Sequence, residues 1–499
     1  MPERHMTNPF NLGDVVNRTG DPDAPMVIGV DDGETTLSRA ELDGRADAFA
    51  RGLLAHGLKR GDRVAILSAN RPDYVALVLG AMRAGIVPAP VNFKFPKRTI
   101  ADVVADSGAR VVFCDAARRD QVPEGVEAVD FDGPALASWL DPGPFEPITP
   151  AADEPGLTLY TSGSTGRPKG VLLSHASHLW VVRTRMADDD LRAERLLVAA
   201  PLYHMNALAN VLLACASGAT VVLLPQFQAK AYIEAIDRLH CTWATAVPPM
   251  IAMMLREKEA LAVADLSSVR VVRMGSAPVN DALAAQIRVL LPNARIINAY
   301  GTTEGGPVVF SDKGGAPSGS VGRPHPGVEV RLVGGATPDT GVLQMKSPAI
   351  MLGYHNRPDV RSPITEDGFY STGDVLRRDA DGFYFFVGRV DDMFVSGGEN
   401  IFPGEVEAVL ETHPDVLQAS VVPVDDEIKG QKPVAFVVRR PGSTVDEQAL
   451  KTFVLENAPA YAHPRRVWFL DQMLLASTNK IDRAALRARA EAEMRQGQS

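Results

Sequence analysis

Short apolar runs alternating with helical patterns constrain this chain's fold more than any other feature. From Gly61 to about Phe95 the sequence GDRVAILSANRPDYVALVLGAMRAGIVPAPVNFKF reads as strand, helix, strand. Val64–Leu67 is a compact apolar run, Asn70 or Asp73 is placed to cap a helix, and Gly85 is placed to end it. The alternation recurs at ASGATVVLLPQF and at VRVVRMGSAPV. Strands separated by helical segments predict an α/β architecture with largely parallel sheets. The chain has 499 residues, and one hydrophobic core stops growing at roughly 250–300. Two domains are therefore expected. After Gly388 the texture changes: GRVDDMFVSGGENIFPGEVEAVLETHPDV gives a charged turn, a short strand, a Gly-Gly loop and a helix opening near Pro403. We place the boundary at Asp391, with a large domain over 1–390 and a smaller one over 391–499.

The formal net charge of −10, without a long basic stripe, argues against a nucleic-acid surface. The opening MPERHMTNPFNLGDVVNRTGD has no apolar core of a secretory signal. The most apolar stretch, Ala207 to Pro225, is interrupted by Asn210, Ser217, Gly218 and Thr220, and reads as buried helix, turn and buried strand, not as a membrane span. Cys114, Cys215 and Cys241 are odd in number, far apart and in apolar surroundings. They give neither a disulfide framework nor a metal pattern, and a reducing cytoplasm is the expected location.

A polar loop, YTSGSTGRPKG, runs from Tyr160 to Gly170 between two apolar runs. As a Walker A loop it fails, because the four residues after Gly163 end in Arg167 and are followed by Pro168 where glycine is required. What remains is a run of backbone N–H groups and hydroxyls from Thr161 to Thr165 that can wrap an anion, with Lys169 to add charge. A solvated surface loop is the alternative reading of the stretch taken alone.

Five further motifs follow in order: PLYHMNA (201–207), NAYGTTEGG (298–306), STGD (371–374), GRVDDMFVSGGEN (388–400) and STNKIDR (477–483). Together with the loop they resemble the adenylate-forming enzymes, the superfamily of acyl-CoA synthetases, peptide-synthetase adenylation domains and luciferases. The resemblance extends from about Asp21 to Arg483 and is nearest the acyl- and aryl-CoA ligase branch. It implies an acyl-CoA synthetase-like fold, with a large multi-sheet α/β N-terminal domain and a small mobile α+β C-terminal domain. It also implies ATP, Mg²⁺ and coenzyme A as cofactors and a small carboxylic acid as substrate. No nucleic acid or membrane span enters, and the expected assembly is a monomer or homodimer.

The chemistry accounts for the residue types. A carboxylate is a poor electrophile, and its attack on the α-phosphorus of ATP is limited by positioning and by charge on phosphate oxygens. By resemblance, Thr161, Ser162, Gly163, Ser164, Thr165 and Lys169 close over the β- and γ-phosphates. Thr303 meets the α-phosphate and Glu304 ligates Mg²⁺. Gly275, Ser276, Ala277 and Pro278, with Asn298, Ala299, Tyr300, Gly301 and Thr302, form the strand ends around adenine, Tyr300 offering a stacking face. Asp374 accepts from both ribose hydroxyls, assisted by Arg389. Lys480 stabilises the developing anion of the first half-reaction, and Asn479 stands where the family more often has glycine. Asp391 is the hinge position about which the C-terminal domain turns between half-reactions. Gly397 and Gly398 then line a pantetheine tunnel gated by His204. Lys429, Lys432, His463, Arg465 and Arg466, with Tyr461 as a stacking surface, are candidates for the coenzyme A nucleotide. Ala462 and Gln431 depart from the common pattern there.

The acyl pocket is expected to be lined by Trp180, Thr184, His204, Met205, Asn206, Thr245, Ser276, Ala299, Gly306 and Pro307. Asn206, Thr245 and Ser276 can bond a polar substituent, and a long alkyl chain would want an uninterrupted apolar tunnel. A short, branched, hydroxylated or aromatic acid is therefore expected. The leading reading is an AMP-forming carboxylate–CoA ligase. A stand-alone adenylating enzyme that loads a carrier protein in trans is the alternative, since no carrier domain follows Arg483. A non-catalytic relative is disfavoured by the intact Lys480, Glu304 and Asp374.

Overall fold

The computed structural model describes residues 10–30, 33–161, 167–276, 279, 281–312, 314–335, 337–396, 399–476 and 480–496. These residues form five sheets. The largest has seven strands in the order Arg295–Ala299, Val271–Gly275, Trp243–Ala246, Arg195–Val198, Thr220–Leu223, Pro25–Gly29 and Thr35–Ser38. All neighbouring pairs are parallel except the last. A four-stranded parallel sheet is built from Val87–Pro90, Arg63–Leu67, Val111–Cys114 and Glu127–Asp130.

Strand alternation divides the core of the large sheet. Leu196, Val198, Val221, Leu223 and Val271 face one side, in the cluster that includes the helix Met205–Ser217. Leu197, Val222, Ala244, Ala246, Val272 and Met274 face the other, against the helix Ala229–Leu239. The stretch from Ala207 to Pro225 is indeed a buried helix, a Gly218 turn and a buried strand.

Two expectations need correction. The sheets are only partly parallel: residues 310–389 form a six-stranded antiparallel sheet, and Pro155–Thr161, Lys169–Ser174 and Gly353–Tyr354 form another antiparallel one. Their connections are mostly too short to carry a crossover helix, so neighbouring strands must reverse direction. Neither Asn70 nor Asp73 caps the helix Pro72–Arg83, which begins after Arg71 with no side-chain cap. Asn70 instead donates through Nδ2 to the carbonyls of Ala200 and Leu224 and accepts from the Leu202 N–H at 2.8 Å. Asp73 pairs with Arg45.

Beyond the strand Tyr384–Arg389 comes the short 3₁₀ turn Val390–Asp392, in which Asp391 is exposed. The chain then enters a mixed sheet of Phe394–Ser396, Glu399–Ile401, Val416–Asp426, Gly430–Arg439 and Val467–Leu470. This C-terminal unit has its own core, including Val406, Leu410, Val421, Val437 and Leu450. The helix near Pro403 runs Pro403–Thr412, with proline in its first turn. Among the described residues no helix is long and apolar enough to cross a membrane. Cys114, Cys215 and Cys241 are buried free thiols, and burial raises the pKa of each.

Candidate active site

Asp374 and Arg389 lie opposite each other on neighbouring antiparallel strands. Arg389 Nη1 donates to Asp374 Oδ1 at 2.9 Å, and the Tyr300 hydroxyl donates to Oδ2 at 2.5 Å. The Asp374 N–H is held by Thr372 Oγ1 at 3.0 Å. Burial raises the Asp374 pKa, against the pull of Arg389, Tyr300 and Lys480 in the other direction. Each carboxylate oxygen retains a second lone pair, so the group remains able to accept from a diol.

Lys480 reaches this carboxylate from the C-terminal unit. The backbone there is pinned by the Leu475–Ile481 bridge and by the Ala476 N–H donating to the Lys480 carbonyl at 2.7 Å. Crowding by surrounding atoms lowers the lysine pKa, Asp374 raises it and Arg389 lowers it. The residue as a whole keeps an exposed surface. His204 feels Lys480 as well: burial, then Lys480 and Lys94, push its pKa down to about 3, so the imidazole is neutral. Its Nε2 is buried with no hydrogen-bond partner, and its ring meets Tyr203 edge-on at 4.6 Å. The structure thus brings together Asp374, Arg389, Lys480 and His204 from four separate stretches of sequence.

The segment 301–307 is a tight loop closed by the Thr302–Gly306 bridge. Gly306 has φ +87°, and a Cβ there would lie 2.5 Å from Ala349 Cβ. Glu304 sits in this loop, not at a helix start; its carbonyl accepts from the Met351 N–H, and its Oε1 accepts from the Tyr354 hydroxyl at 3.2 Å. No lysine or arginine among the described residues is ion-paired with Glu304, so its charge is left for a cation. A single hard carboxylate fits Mg²⁺, which usually takes its remaining ligands from water and phosphate. Lys169 lies over the Tyr354 ring at 4.6 Å, linking the polar loop to this carboxylate. Thr161 Oγ1, at the end of the strand that enters the loop, is buried without a partner, as a phosphate-facing hydroxyl would be. Ser162, Gly163, Ser164, Thr165, Ala277, Pro278, Gly397 and Gly398 lie outside the described residues.

Gly275 and Ala299 are paired at the ends of adjacent parallel strands. Ser276, the next residue, takes φ +68°, a strained conformation for a side chain other than glycine. Asn298 donates to the Ser320 carbonyl at 3.0 Å, and Tyr300 meets Phe310 at 5.7 Å. In the expected acyl pocket, Trp180 packs against Gly327 and His325. Met205 Sδ lies 3.2 Å from His178 Nε2. The Thr245 hydroxyl is already used: it donates to the Leu197 carbonyl at 2.7 Å. Asn206 and Pro307 line a small cavity shared with Val181, Arg185, Asn210 and Arg273. Both arginines were missed from sequence, although a charged residue inside the apolar run VRVVRMG was a legible signal.

The proposed nucleotide landing site is only partly assembled. His463 is buried, with Nδ1 against the Ala460 carbonyl and Nε2 bonded to Arg465 at 2.8 Å. Lys432 is paired with Asp426 at 3.1 Å and Arg466 with Glu447 at 3.4 Å. Lys451, which the sequence reading omitted, donates to the Arg465 carbonyl and, with Lys429 and Arg465, presses on His463 electrostatically. Tyr461 is half-exposed.

The model of the AMP-binding enzyme family matches residues 16–355, and that of the AMP-binding enzyme C-terminal domain matches residues 405–480. A feruloyl-CoA synthase from an Amycolatopsis species is 35% identical over 491 residues, covering 93% of this chain and 96% of that protein. The sulfoacetate–CoA ligase of Cupriavidus necator is 34% identical over 490 residues, covering 93% and 94%. Among solved structures, ATP-bound MatB from Rhodopseudomonas palustris is similar with a TM-score of 0.87 at 26% identity, covering 97% of this chain and 99% of that one.

Proposed function

The chain belongs to the AMP-binding enzyme family, in the adenylate-forming superfamily, and on that premise we propose that it is an AMP-forming carboxylate–CoA ligase. The observation that carries the reading is the convergence of Lys480 from the C-terminal unit on Asp374, Arg389 and His204 of the large one. In the first half-reaction a carboxylate oxygen bonds to the α-phosphorus of ATP while the bond to the pyrophosphate oxygen breaks. Asp374 holds the ribose hydroxyls, with Arg389 and Tyr300 fixing its orientation. Lys480 supplies positive charge where the acid and the α-phosphate meet. Thr161 and Lys169 grip the departing phosphates, and Thr303 meets the α-phosphate. Mg²⁺, held by Glu304, would neutralise phosphate charge when bound.

In the second half-reaction the thiol of coenzyme A bonds to the acyl carbon and AMP leaves. His204 is neutral and sits at the start of the helix Met205–Ser217, where an aromatic ring can close the thiol's path until the C-terminal unit turns about Asp391. Lys429, Arg465 and Lys451 offer charge to the nucleotide end of coenzyme A. Two relatives are named a feruloyl-CoA synthase and a sulfoacetate–CoA ligase. The polar residues beside Asn206 and Pro307 support a short or compact polar acid, not a long alkyl chain.

Pyrophosphate release and thioester formation, followed over a panel of acids, test the reading. Thioester on coenzyme A is the expected product. Adenylation without a CoA thioester, but with transfer to a phosphopantetheinyl carrier protein, would replace it with the carrier-loading alternative.

A further inference from the structure

Arg273 occupies the middle of the strand Val271–Gly275 and is 6% exposed. Alternation along that strand sets it on the same side as Val271, toward the helices His175–Asp188 and Met205–Ser217. Among the described residues its side chain makes one hydrogen bond, Nη1 to Asn206 Oδ1 at 3.1 Å, and no ion pair. Arg185, from the helix His175–Asp188, lines the same cavity and is likewise without an ion pair among the described residues. The nearest acids are held elsewhere: Asp189 pairs with Arg295 at 2.7 Å and Asp188 with His325 at 3.4 Å.

A buried guanidinium without an ion pair is disfavoured, and the half-buried Arg185 beside it adds to the cost. Burial lowers the pKa of each arginine and the charge of Arg185 lowers that of Arg273 further, while Asp189 pulls both upward and Asp188 pulls Arg185 upward. A core that needed only packing would be better served by leucine or methionine of similar volume. Asn206 and Asn210 complete the polar lining; Asn206 Oδ1 accepts from both Arg273 and Asn210 Nδ2, which orients the guanidinium. Val181 and Pro307 supply apolar walls. Asn206 also approaches Gly275 at the strand end, so the cationic floor is continuous with the place where the acid would be activated. A planar guanidinium matches a carboxylate or sulfonate through paired N–H donors.

Resting on the ligase reading above, we infer that the activated acid carries a second anionic group, a carboxylate or a sulfonate, that pairs with Arg273 and Arg185 at the floor of the acyl pocket. A neutral aromatic or alkyl end would leave Arg273 with no ion-pair partner among the described residues.

The test compares matched acids on the full-length enzyme with Mg-ATP and coenzyme A: propionate with malonate, butyrate with succinate, valerate with glutarate, and acetate with sulfoacetate, plus benzoate and ferulate. Pyrophosphate release is read as kcat/KM. At least one dianion should exceed its matched monoacid by about 100-fold or more. The carboxylate and sulfonate arms distinguish the two end groups. R273M should reverse that preference, losing the dianion while retaining or improving the monoacid, and R273K should restore part of it. If R273M fails to fold, the wild-type ratio decides alone. Equal or better turnover of every monoacid, or a preference for benzoate or ferulate over all dianions, overturns the inference and leaves the ligase reading standing. Absence of pyrophosphate release with every acid overturns the ligase reading and this inference with it.

Discussion

Arg389 and Asp374 are joined across two antiparallel strands by a 2.9 Å hydrogen bond, and the same carboxylate is held on its other oxygen by Tyr300. The carboxylate is buried, and these two bonds aim it before any nucleotide arrives, as in a preorganised acceptor.

Asp374→Asn should raise the KM for ATP at least about tenfold, because an uncharged amide accepts less strongly and no longer balances Arg389. The discriminating measurement uses 2′,3′-dideoxy-ATP. With the diol gone, wild type and variant should be nearly equal; a persistent gap would mean that Asp374 acts only by holding Arg389.

Lys480→Ala should reduce pyrophosphate release by about 100-fold or more, since it removes the charge that meets the developing anion. Thioester formation from a supplied acyl-adenylate should be largely kept. Equal loss of both steps would contradict a role confined to the first half-reaction.

Acid should weaken the fold through two buried histidines. His175 Nδ1 accepts the Leu12 N–H at 3.0 Å, and His178 lies between Ser177 Oγ and Met205 Sδ. Burial pushes both pKa values down to about 4 from the ordinary 6.5. The unfolded chain therefore binds more protons between these values, so the stabilisation is complete above pH 6.5 and lost as pH falls toward 4. From pH 6.5 to 5 the loss is about 2 kcal/mol per histidine. Urea denaturation across this range should show the slope, and His175→Gln should flatten it; a parallel curve for the variant would remove His175 from the account.

Gly306→Ala should destabilise by about 1–3 kcal/mol, because the new methyl meets Ala349 in a left-handed backbone. The loop carrying Thr303 and Glu304 would shift with it. Thermal denaturation should show a lower midpoint, together with reduced kcat. An unchanged midpoint would show that the loop has slack.

Much of the site was legible because its residues lie in short contiguous motifs. Asp374 follows Thr372 in one strand, and Tyr300 to Glu304 are contiguous, so local sequence placed them together. Asn70 was misread because it has the residue type of a helix cap, yet its amide is used to tie Ala200, Leu202 and Leu224 together. Thr245 looked available to a substrate until strand pairing placed its hydroxyl against the Leu197 carbonyl. The antiparallel sheet over 310–389 was missed because apolar runs alone do not state strand direction; connection length does.

The sequence by itself determined the alternating elements and the family, since these depend on local pattern and short spacing. Tertiary structure alone decided which charges share a space. Arg185 and Arg273 sit on a helix and a strand with three strands and four further helices between their places in the chain. Only the packing of that helix on one face of the sheet brings the buried Arg273 and the half-buried Arg185 to one cavity. No spacing rule records that contact, because it is set by the parity of a strand and the docking of a helix.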